Sequence, residues 1–98
     1  MANLIVINPF EVPQEKEQHA LELYDKYAEY IRNQTGYVSA RLHRSINPDA
    51  RFTMVVTVEW ACAEDYLAAM QSPEFRQMSE NYKVEFLNNP ELYEVVRS

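Results

Sequence analysis

Apolar residues change their spacing several times along this chain, and each change marks an element. From Asn3 to Phe10 the run is β-branched and alternating, which predicts a first strand. After Pro13, a residue suited to a first helical turn, Ala20, Tyr24, Tyr27, Ala28 and Ile31 recur at helical spacing and define one apolar stripe. Glu15 and Glu17 suit the positive end of that helix, and Arg32 lies near its last turn. Gly36 is placed to end it in the left-handed conformation. Tyr37 to Ser45 and Arg51 to Trp60 read as strands two and three, joined by an Asn47-Pro48-Asp49 turn.

The pattern then returns to helical spacing. Glu64 and Asp65 open a short helix with Tyr66, Leu67 and Met70 inward. Ser72 caps a fresh start with Pro73 at the first helical position, and Phe75, Met78 and Tyr82 supply its apolar face. Asn88-Asn89-Pro90 breaks this segment, and Leu92 to Val96 is expected as strand four. The order βαββαβ is the ferredoxin-like α+β arrangement, a four-stranded antiparallel sheet with helices on one face, expected as one domain over 1–98.

Strands one and three are apolar on both faces. Leu4 and Val6 oppose Ile5 and Ile7, and Met54, Val56 and Val58 oppose Val55. Two helices cover only one face of such a sheet. A second copy laid sheet to sheet would cover the other, so the pattern predicts a homodimer.

Composition narrows the function. The net charge of −6 comes with no basic block, which excludes nucleic acid and anionic membrane as natural partners. That also disfavours an RNA-recognition module of the same element order, as does the absence of an aromatic-and-basic strand motif. Apolar runs such as Leu4 to Ile7 are too short to span a bilayer, and no secretion signal is visible. A lone Cys62 cannot form an internal disulfide and fits a reducing cytoplasm. With a single glycine, phosphate-cradling loops are absent, and the two distant histidines and one cysteine do not have metal-ligand spacing. Chemistry without a bound cofactor is the expectation.

Several residues stand out against this background. Trp60 ends the third strand, either as a core anchor at the corner or as the wall of a pocket between sheet and helices. Asn8 interrupts an apolar strand, and a buried amide needs partners because leaving it unpaired costs about 1–3 kcal/mol. It either supports the turn before Pro9 or serves a ligand. His43 is the one histidine in a strand and has a side chain suited to general-base work, or else it lies at the surface or a dimer interface. If Ser45 faces Arg51 in the hairpin, His43 and Trp60 fall on opposite faces; a one-residue slip reverses this. Tyr66 is either a core tyrosine with a wet hydroxyl or part of the pocket. His19, among Lys16, Glu17 and Gln18, reads as solvated.

A strand ending Glu59-Trp60, a short helix and then Ser72-Pro73-Glu74-Phe75 resembles the antibiotic biosynthesis monooxygenase family of small dimeric ferredoxin-like proteins. The segments Asn8-Pro9-Phe10-Glu11-Val12-Pro13 and Arg41-Leu42-His43-Arg44 resemble it too. The resemblance implies a homodimeric α+β barrel and a cofactor-free oxygenase that oxidises a small phenolic or polycyclic aromatic substrate with O₂. It implies roles for Asn8, His43 and Trp60, expected as the catalytic residues, and for Tyr66; helix and strand patterning adds Tyr24, Tyr27, Phe52, Val56 and Met70 to Tyr66 as the expected substrate-binding set. A non-catalytic or cyclase-like binding dimer of the same fold is the alternative. Two positions depart from the family. Members that oxidise aromatic polyketides carry asparagine where this chain has Val56. The haem-degrading branch has a histidine at the position of Ser79, whose hydroxyl cannot act as the axial ligand to haem iron.

Overall fold

The computed structural model describes residues 3–98. Strand β1 (Leu4–Phe10) leads through a short 3-10 turn at Gln14–Lys16 into helix α1 (Glu17–Arg32). Strands β2 (Tyr37–Arg44) and β3 (Met54–Trp60) form a hairpin, followed by helices α2 (Ala63–Met70) and α3 (Pro73–Asn81) and by strand β4 (Glu91–Tyr93). The sheet order is β2-β3-β1-β4, with every pairing antiparallel. This is the ferredoxin-like α+β arrangement.

Pairing of Asn8 with Val56 and of Leu42 with Val56 puts these side chains on one face of the sheet. Because side chains alternate, Val6, Met54, Val58 and Trp60 share that face, while Ile5, Ile7, Val55 and Thr57 point the other way. The first set meets the helices. Val6, Val58, Trp60 and Ala69 form the core cluster, with Ile31, Tyr66 and Met70 packed against it.

Local chemistry sets the helix ends. Gly36 has φ +86°, and a Cβ there would stand 2.3 Å from the Asp65 carboxylate, so both the conformation and the close approach require glycine. Cys62 precedes α2 and donates its thiol to Asp65 Oδ2 at 3.2 Å. Ser72 Oγ accepts from the Phe75 N–H at 3.0 Å with Pro73 next, the predicted capped restart. Tyr30 fastens α1 to this junction by donating to Ala69 O at 2.8 Å.

Four expectations need correction. Strand β3 starts at Met54 rather than Arg51: the last hairpin bond runs from the Ser45 N–H to Thr53 O at 2.8 Å, and beyond it the chain turns through Asn47–Ala50, where the Ala50 N–H donates to Asn47 O at 3.1 Å. Strand β4 covers Glu91–Tyr93, not Leu92 to Val96; Tyr93 already pairs with Ile5, near the start of β1, so Val95 and Val96 find no ladder and are exposed. Leu67 is 46% exposed instead of inward, since it lies about 100° around α2 from Tyr66, with Ala69 and Met70 flanking the buried line. Tyr82 caps the end of α3 and is 39% exposed, lying under the Lys26 ammonium, instead of joining its apolar face.

Candidate functional site

Between the sheet and α1, α2 and α3 the side chains do not close the core completely. A cavity of about 340 Å³ remains. Its floor is the helix-facing side of the sheet, including Val6, Asn8, Val56, Val58 and Trp60. Its roof comes from α1 through Tyr24 and Tyr27, from α2 through Tyr66 and Met70, and from α3 through Phe75 and Ser79. Residues of the segment 84–90 complete the wall, among them Val84, Phe86, Asn88 and Pro90. Such volume and mostly apolar lining with a few polar groups suit a small organic ligand.

Aromatic rings shape the wall. Tyr66 meets Trp60 edge to face, with centroids 5.9 Å apart and planes at 70°. Phe75 meets Tyr27 in the same manner at 5.9 Å. Trp60 is 1% exposed, so it is both core anchor and cavity wall.

The polar groups are few and neutral. No His, Lys, Arg, Asp or Glu lines the cavity among the described residues. Asn8 Oδ1 accepts from the Asn89 backbone N–H at 3.1 Å, which leaves its Nδ2 as a donor with no protein partner among the described residues. Tyr27 donates to Tyr82 O at 2.7 Å, tying α1 to the start of the closing segment. Burial pushes the Tyr24 phenol above its ordinary pKa of 10.0, helped by Tyr37 and Asp25 and opposed by Arg32. Burial alone raises Tyr66. Both phenols are therefore neutral hydrogen-bond donors at physiological pH.

The fold thus brings Asn8, Tyr24, Tyr27, Val56, Trp60, Tyr66 and Met70 to one cavity. Two residues named from the sequence do not join them. His43 pairs with Val55, and its Nε2 lies 2.9 Å from Thr57 Oγ1 on the opposite, open face. This pairing lies two residues from a Ser45–Arg51 register, so the face is the same and His43 is not a base for this cavity. Phe52 precedes β3 and packs its ring under the Arg51 guanidinium, 4.9 Å from its centroid, outside the lining.

The profile of the antibiotic biosynthesis monooxygenases matches residues 3–81 of the chain. The chain belongs to the antibiotic biosynthesis monooxygenase family. A candidate monooxygenase from Shewanella loihica PV-4 is 30% identical, with a TM-score of 0.82 over 99% of this chain and 97% of that one. SnoaB, a cofactor-independent oxygenase from Streptomyces nogalater, shares the fold at 16% identity, with a TM-score of 0.84 over 100% of this chain and 97% of its own. A haem-degrading protein from Mycobacterium tuberculosis also shares it, at 18% identity and a TM-score of 0.76, covering 99% and 94%. No curated protein matches the chain by sequence.

Within this family frame the two departures take definite places. Val56 lies directly across from Asn8 in the β1–β3 ladder, so the amide at this level of the floor comes from β1 alone. Ser79 lies in the α3 wall of the cavity. From sequence Asn88, Asn89 and Pro90 read as a breaker and not as part of a site. Counting back from Leu92 in steps of two reaches Pro90 and Asn88, so the alternation of β4, extended toward its N-terminus, carried that signal. Among the described residues no cluster of three or more metal-binding side chains occurs, and no helix is long and apolar enough to cross a membrane.

Proposed function

We propose that this family member is a cofactor-independent monooxygenase of the cytoplasm, acting as a homodimer on a small phenolic or polycyclic aromatic substrate. The observation that carries this reading is the aromatic-walled cavity whose floor presents the Asn8 amide beside Trp60. A flat ring system fills the space between Trp60, Tyr66 and Met70. With no base in the lining, the substrate must be acidic enough to lose its proton to water as it enters. The Asn8 Nδ2 then donates to the enolate or phenolate oxygen, and the apolar surroundings strengthen that bond. Tyr24 and Tyr66, held neutral, are further donors to the same charge.

The anion supplies the electrons. One passes to O₂, and the resulting superoxide and substrate radical combine to form a carbon–oxygen bond. The peroxide then loses its proton from carbon as the O–O bond breaks, leaving a carbonyl and water. For a methylene substrate the balance is R₂CH₂ + O₂ → R₂C=O + H₂O. Trp60, Tyr27, Val56 and Met70 orient the ring and exclude water from the radical pair.

The homodimer rests on the half-buried open sheet face carrying Ile5, Ile7 and Val55, which the helices leave uncovered. The base-free lining and Val56 also favour a second reading, a binding or cyclase-like dimer of the same fold. Oxygen uptake by the metal-stripped protein with anthrones, quinols and polyphenols separates the two. Uptake above the buffer rate supports the oxygenase; tight binding without uptake supports the binding module.

A further inference from the structure

The geometry points to Asn88 as a specificity-determining residue of the cavity, which pairs with Asn8 to select a ligand carrying a carbonyl and a separate hydroxyl on one edge. This inference rests on the reading of the cavity as an aromatic-substrate site. Between α3 and β4 the chain does not form a regular strand, yet it stays in β1 register. Asn88 bridges Phe10, the Glu11 N–H donates to Leu87 O at 2.9 Å, and Ile7 pairs with Glu91. In this register Pro90 lies opposite Asn8, and Asn88 is its diagonal neighbour on the same face, with a Cα separation of roughly 7 Å. Both side chains line the cavity.

The two amides are fixed in opposite senses. Asn8 Oδ1 is occupied by the Asn89 N–H, so Asn8 offers its Nδ2 as a donor. Asn88 Nδ2 donates to Phe86 O at 2.8 Å, so Asn88 offers its Oδ1 as an acceptor. Donor and acceptor therefore face one space from adjacent positions. A ketone oxygen satisfies Asn8 and a phenolic hydroxyl satisfies Asn88. Because the amides are several ångströms apart, the hydroxyl must share an edge with the ketone without being its immediate neighbour. A hydroxyl folded back onto the ketone would spend its proton internally. An apolar ligand edge would instead leave the Asn8 Nδ2 donor and the Asn88 Oδ1 acceptor without partners, which is the strongest form of discrimination a small cavity has.

The test uses two probes under anaerobic conditions, anthrone and 2-hydroxyanthrone, with affinities measured by equilibrium dialysis. The wild-type protein is expected to bind the hydroxylated probe about tenfold more tightly. Asn88→Leu removes the acceptor and should bring the ratio to about one. Asn88→Ser, a smaller change, should lower the ratio as well and serves if the leucine variant does not fold. Equal affinities in the wild type, or an unchanged ratio in both variants, would overturn the role of Asn88. If neither probe binds, the aromatic-site reading itself fails; if both bind equally, that reading stands and only the Asn88 assignment is lost.

Discussion

The backbone N–H of Asn89 donates to Oδ1 of Asn8 across 3.1 Å, linking the floor of the cavity to the segment that closes its end. The same N–H also reaches Pro9 O at 3.2 Å, so it is shared between backbone and side chain. An amide held in this way keeps a fixed donor direction, and a preorganised donor is the main means by which a neutral cavity stabilises a developing anion.

Asn8→Ala removes that donor and the link to Asn89. Turnover should fall about 100-fold, the scale of losing one preorganised donor. Stability should fall by only about 1 kcal/mol, the net worth of one hydrogen bond. The checks are steady-state oxygen uptake and a thermal melt, and a large loss of stability would recast Asn8 as structural.

Trp60 carries two duties, and substitutions of different size separate them. Trp60→Ala leaves a void at a site 1% exposed and should cost about 3–5 kcal/mol of stability. Trp60→Phe keeps much of the packing, so it should fold while weakening the binding of a flat aromatic ligand. Chemical denaturation and ligand titration of the two variants measure these effects independently.

Tyr24 and Tyr66 make a pH prediction. Both are raised above 10.0, so folded and unfolded chains carry neutral phenols below about pH 10 and stability does not depend on them there. Above that pH the unfolded chain ionises first, and stability falls as pH rises through the raised values. A spectrophotometric titration should show a late phenolate component in the folded protein. It should shrink in Tyr24→Phe and in Tyr66→Phe.

The open sheet face and the cavity should respond independently. Ile7→Glu places a charge among the apolar residues of the open face and should shift sedimentation from a dimer toward the 11.6 kDa chain. His43→Gln, also on that face, should leave the affinity for an aromatic ligand unchanged, because His43 has no access to the cavity. A loss of ligand affinity in His43→Gln would contradict the assignment of faces.

The element order, the Ser72-Pro73 restart and the role of Gly36 were legible in the sequence because each depends on neighbours a few residues away. Alternation groups Val56 with Trp60 in one strand and Val6 with Asn8 in the other, and the β1–β3 pairing puts both groups on one face. His43 was harder, since its face depends on the register of a hairpin, and a slip of one residue reverses it. Leu67 was misplaced because an eight-residue helix offers too few turns to fix its buried line. Asn88 was hidden for another reason. Asn-Asn-Pro is a strong breaker signal, and it masked the fact that the irregular stretch keeps strand register beside β1.

The most direct test of the account loads an acidic anthrone into the metal-stripped protein without oxygen and then mixes it rapidly with O₂. The bound substrate should be oxidised about 100-fold faster than the free one, and Asn8→Ala should remove most of this advantage while still binding the ligand. Oxidation at the same rate bound or free would contradict it, leaving the cavity a binding site without chemistry.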